Sequence, residues 1–197
     1  MHPPRTGEIA WYVTGRFYAG PHDTAFDCGY FLHLAGIAPL FAGEIDAPNA
    51  HFTFAAEPFK PGGIRNGALS LAIDPAGEFS VYLQREPRGR FDDPASFAAG
   101  ERIAIFRRVG MVVGVELATG QLGASQRLLS NNVFSAALVW STEFDWAGRS
   151  FDLGRLLPHG VTQWGTAAAA APTTNAPAED AAVPFVGSAL AIGAPVV

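Results

Sequence analysis

The chain has little charge and almost no sulfur. Charged residues make up 16% of its 197 positions, against the usual quarter. The net charge is −5, and basic residues are scattered apart from short clusters at 85–90 and 107–108. Such a chain has no electrostatic pull toward nucleic acid or an anionic membrane. One cysteine, Cys28, excludes an intrachain disulfide framework and a multi-cysteine zinc site. No apolar run reaches the length of a membrane helix. The opening Met-His-Pro-Pro-Arg-Thr-Gly-Glu lacks the apolar stretch of a secretory signal, and no Asn-x-Ser/Thr acceptor occurs. The expectation is a cytoplasmic protein that engages neither nucleic acid nor membrane.

Catalytic signatures are missing as well. There is no Gly-x-x-x-x-Gly-Lys-Ser/Thr phosphate loop, no Gly-x-Gly-x-x-Gly after a strand, no Gly-x-Ser-x-Gly elbow and no His-Glu-x-x-His helix. Nucleotide chemistry and the common hydrolase plans lose their ground, and no cofactor is expected.

What the chain does have is phenylalanine, glycine and a period of two. With 15 Phe and 22 Gly, the balance favours β-structure with many tight turns. Ile9, Trp11, Val13 and Phe17 alternate with polar neighbours in a first strand. The stretch 26–37 carries apolar bulk on both faces, with Asp27, Phe31, His33 and Ile37 sharing one of them. The segments 69–73 and 79–83 alternate around Asp74-Pro75-Ala76-Gly77, whose residue types suit a tight turn. That pattern predicts an antiparallel hairpin. Phe91 and Phe97, in the polar loop 87–100, are expected to fold back onto the body.

The tally is eight to ten antiparallel strands with no long amphipathic helix, an all-β chain. A closed antiparallel β-barrel, lipocalin-like or allene-oxide-cyclase-like in general architecture, is preferred because closure hides sheet edges; a sandwich is the alternative. Residues 1–165 are read as the barrel domain and 166–182 as a flexible Ala/Pro/Thr linker. Residues 183–197 form an uncharged, apolar tail expected to dock on the barrel or on a second copy in a homo-oligomer.

For chemistry, His33 and His51 on consecutive strands could meet Glu57 or Asp27 as a metal triad. The plainer reading, single hydrogen bonds at strand faces, is preferred, and no metal site is assigned. Cys28 lies among Phe26, Tyr30 and Leu32, the setting of an inert thiol. The leading expectation is a cavity lined by Trp11, Phe17, Phe31, Phe79, Trp140 and Phe144 that holds a hydrophobic small molecule. Asp27, Arg85 and Arg107, read as inward by alternation, orient it. If the protein is an enzyme, a cofactor-independent isomerase or cyclase fits, with His33 or Glu57 as the acid–base group. The alternative is a non-catalytic structural or interaction domain with a filled core. Cavity volume separates the two: natural ligand pockets start near ~300 Å³.

Overall fold

In a computed structural model the chain is described over residues 4–20, 22, 24–59, 64–66, 69–72, 77–114, 129–168 and 182–193. Twelve strands are described: β1 (Ile9–Ala19), β2 (Ala25–Leu34), β3 (Phe52–Ala56), β4 (Ile64–Asn66), β5 (Leu69–Ala72), β6 (Glu78–Leu83), β7 (Glu101–Gly114), β8 (Leu129–Ser141), β9 (Phe144–Trp146), β10 (Arg149–Phe151), β11 (Val161–Ala168) and β12 (Val183–Ala191). One short helix, α1 (Leu153–Leu156), precedes β11. Eight strands run in the order β7-β6-β3-β2-β1-β12-β11-β8, and β8 pairs back onto β7. The sheet is a closed antiparallel barrel. Short β4 and β5 extend it beside the far half of β7.

The barrel interior is filled by rings. Phe79 stacks on Phe106 at 5.2 Å, and Trp11 meets Phe31 and Phe106 edge-on at 5.6 and 5.4 Å. Two glycines make room for others. Gly15 and Gly29 face each other across the β1–β2 ladder, and a Cβ on either one would collide with the Phe185 or Phe54 ring. One end is plugged by the β9–β10 hairpin and α1, where Phe52, Phe144 and Phe151 pack together. Outside β2 and β3, the loop between β6 and β7 folds back as expected. Phe97 is fully buried there, and Thr53 Oγ1 and Gln84 Nε2 donate to the carbonyls of Phe97 and Ser96 at 2.6 and 2.9 Å.

Two expectations from the sequence are corrected. The hairpin between 69–73 and 79–83 does not form. Both β5 and β6 lie antiparallel to β7, with β6 against its first half and β5 against its second. They therefore follow one course in one direction along β7. Gly77, at φ 83°, resumes that course, and its carbonyl accepts from Arg108 N at 3.0 Å. The proposed turn residues 74–76 lie outside the described residues. The domain boundary at 165 is also displaced. β11 continues to Ala168, and β12 sits between β1 and β11 with a full ladder on each side. The segment read as a docking tail is a wall of the barrel, because its alternating Val183, Phe185, Gly187, Ala189 and Ala191 suit a closed interior.

The integral position of β12 has a direct consequence. Deleting residues 182–197 exposes the edges of β1 and β11 and opens the core to water. The shortened chain is expected to lose cooperative thermal melting in far-ultraviolet circular dichroism; an unchanged melting curve would contradict the closed barrel.

Candidate functional site

Among the described residues the interior is mostly apolar, and one ion pair lies within it. Asp27 on β2 and Arg108 on β7 reach toward each other across the lumen and are 4% and 3% exposed. Arg108 Nη2 donates to Asp27 Oδ2 at 2.7 Å and to Oδ1 at 3.1 Å. The guanidinium carbon lies 5.0, 5.3 and 5.1 Å from the ring centres of Phe59, Phe79 and Phe134. Faces of aromatic rings attract a cation at that range. Yet Nε and Nη1 of Arg108 are buried with no hydrogen-bond partner among the described residues. An unmade bond on a buried charged group costs several times what a surface one does.

Arg108 also lines a cavity. It leaves about 20 Å³ for the centre of a water-sized body, and Trp11, Asp27, Phe31, Phe79, Arg108 and Gln163 are among its walls. That space holds roughly one water molecule. Gln163 Oε1 accepts from Trp11 Nε1 at 2.8 Å, which fixes the indole edge-on to its neighbours. The cavity is therefore small, walled by rings and polar on one side.

Of the residues singled out from the sequence, Trp11, Asp27, Phe31 and Phe79 come together here. The others do not. Phe17 is half-buried against Phe185 at 4.6 Å, and Phe144 belongs to the plug. Trp140 is 42% exposed on the outer wall, beneath the Arg102 guanidinium at 5.7 Å. His33 is exposed outside the barrel beside Tyr12, ring centres 5.6 Å apart. Glu57 is exposed just beyond β3. Arg85 lies past the end of β6 and clasps Glu101 at 2.6 and 3.1 Å on the surface. Arg107 points outward to Glu78 at 2.6 Å.

Irregular pairing explains these displacements. The β1–β2 register slips between Tyr12 and Val13, so that Tyr12 faces His33 while Val13 faces Phe31. The extra residue, Leu32, turns His33 outward and Leu34 inward. On β7 the register slips at Ile103, between Val81↔Ala104 and Tyr82↔Arg102. The inward set beyond that point is Ala104, Phe106 and Arg108. A bulge shifts the phase of everything after it. Arg107 and Arg108 are adjacent, so where the strand is regular one of them faces the interior. That adjacency was the signal for Arg108; Phe134 and Gln163 had only strand alternation to mark them.

The histidine pair does not assemble. His51 is buried with Nδ1 at 2.8 Å from the carbonyl of Gln84, far from the exposed His33 in role and setting. Among the described residues no three His, Cys, Asp or Glu side chains converge as a metal site requires. Cys28 faces away from the lumen, packed with Tyr30, Ala47 and Phe97. Burial first, and then the neighbouring Asp27 carboxylate, push its thiol up to about 12, which keeps it protonated and unreactive. Among the described residues no helix is long and apolar enough to cross a membrane.

No protein-family model, curated protein or solved structure matches the chain. The site is therefore read from its own geometry.

Breaking the buried pair from one side leaves a bare charge, whereas removing both partners leaves none. Asp27→Ala is expected to lower stability by about 3–5 kcal/mol. The double variant Asp27→Leu/Arg108→Met should melt close to or above the parent. Denaturant titration of both checks this; equal losses in the two would contradict the buried ion pair.

Proposed function

We propose that the barrel is a binding module for one small, largely apolar molecule whose head is an uncharged hydrogen-bond acceptor, a carbonyl above all, held by Arg108. The observation that carries this reading is that Arg108 lines a ring-walled cavity while its Nε and Nη1 have no hydrogen-bond partner among the described residues. An apolar pair in place of Asp27 and Arg108 would pack a core at less cost. Buried donors left unmade in a native protein call for a specific reason, and an arriving acceptor supplies one.

The charge of the head follows from the pair itself. Asp27 already balances Arg108, so a second buried anion would have no counter-charge, while a neutral carbonyl adds none. The body follows from Trp11, Phe31 and Phe79, whose edge-on packing suits a flat apolar group. At about 20 Å³ the resting cavity is far below the ~300 Å³ of ordinary ligand pockets. The ligand therefore enters by displacing a water and turning aside rings such as Phe79 and Phe134. A cofactor-independent isomerisation or cyclisation is the catalytic extension of this reading. Asp27, and not His33 or Glu57, is then the carboxylate placed beside the reacting group.

The small cavity itself favours a second reading, an interaction domain with a filled core. Titrating purified protein with 2-acetylnaphthalene and with 2-ethylnaphthalene, followed by tryptophan fluorescence, separates the two. A hydrogen bond from a charged donor is worth ~1.5–3 kcal/mol, so the ketone should bind at least about tenfold tighter than the hydrocarbon. Arg108→Met should erase that preference. Equal binding of both sinks the Arg108 anchor, and binding of neither leaves the filled-core reading standing.

A further inference from the structure

Three adjacent strands of the barrel, β8, β11 and β12, contain no charged residue on either face. Their outward side chains are largely apolar, and Val133, Trp164 and Val186 are 42%, 41% and 56% exposed. Tyr12, on neighbouring β1, is 43% exposed. The register places these side chains in one band: Val133 pairs with Trp164, Trp164 with Ser188, and Ser188 with Tyr12. Ser188 is the low point between two aromatic walls. A groove of about 320 Å³ runs there, along β12 between Tyr12 and Trp164. The apolar outside of β2 and β3, by contrast, is covered by the chain's own loop around Phe97.

We infer that this bare face docks a second copy of the same chain about a two-fold axis, with Trp164 of each copy seated in the groove of the other. Charge is the first argument. Two copies of net charge −5 repel least where they meet on a face that carries no charge, and an uncharged face is complementary to itself. Area is the second. The three uncharged strands at ~4.8 Å spacing and about eight residues at ~3.3 Å give a footprint of roughly 380 Å², to which Tyr12 of β1 adds its ring. Corrugation raises the accessible area toward the ~800 Å² per partner of a standard interface. Shape is the third, since an indole fits a groove of that volume and aromatic anchors carry most interface energy. A lipid surface fits less well for a span. Arg102 and Arg107 are exposed on the outer side of β7, so the apolar band does not encircle the barrel as a bilayer demands.

This docking does not depend on the interior ligand. Size-exclusion chromatography with light scattering, over about 1 to 100 µM protein, reads it directly. The expected mass at the upper end is twice that of the chain. Val186→Lys and Trp164→Glu should each weaken association at least about thirtyfold, as loss of a central anchor does, with unchanged melting of the dilute monomer. Val109→Lys, at a 54% exposed site on β7, should keep the dimer. Should Trp164→Glu fail to fold, the more exposed Val186→Lys decides. A monomer at every concentration, an assembly larger than two, or a dimer that survives Val186→Lys in a folded chain overturns the inference.

Discussion

An arginine inside a cylinder of aromatic rings must be matched by a carboxylate, and much of this barrel is arranged around that constraint. Asp27 and Arg108 come from strands on opposite sides of the lumen, separated in the barrel by β3 and β6. Their bond ties the two walls together. Phe59, Phe79 and Phe134 surround the guanidinium and keep bulk solvent, which would weaken the attraction, away from it. The same exclusion makes the unbonded Nε and Nη1 expensive. In the function we propose, stability and binding meet at one residue: the pair ties the structure together, and its spare donors would give the interior a polar address.

How far the sequence could reveal this depends on the regularity of each strand. Alternation alone brought Phe31, Phe79 and Asp27 to the lumen, because they lie where the count from the strand start is unbroken; Trp11 follows a slip at Ala10 and keeps phase only with Val13 and Phe17 beyond it. His33 and Arg107 fail for one reason. Each follows a one-residue slip, and beyond a slip every side chain changes face. No local composition marks Leu32 or Ile103 as the extra residue. Arg85 fails differently, because β6 ends at Leu83 and alternation has no meaning past a strand's end. A barrel was legible from strand count and turn residues, whereas the inward arginine was legible only as one of two neighbours.

Long-range partnership was the harder matter. Asp-Pro-Ala-Gly has the residue types of a hairpin turn, yet β5 and β6 both take their partner from β7, fourteen residues long. The choice between folding back and running on is settled by that distant strand, which local turn chemistry does not encode. The last strand posed the same difficulty. An uncharged segment after an Ala/Pro-rich stretch reads as an appendage. Only the unpaired edges of β1 and β11 give it a place, and those edges are a property of the closed sheet. The lack of charge in β12 makes sense from both sides: its inner face meets the core, and its outer face continues the bare band of β8 and β11.

The two proposals give inside and outside separate roles, a polar anchor within and an apolar contact surface without. The claim at the centre is that Arg108 holds donors in reserve for an acceptor that is not part of the chain. A crystal structure at a resolution that shows ordered water tests it most directly. The account expects a water or a co-purified molecule at ~2.7–3.2 Å from Nε or Nη1 of Arg108, inside the ring of Trp11, Phe31 and Phe79. A dry lumen, with Asp27 rotated to take both Nε and Nη2 or with the guanidinium turned to solvent, would contradict it.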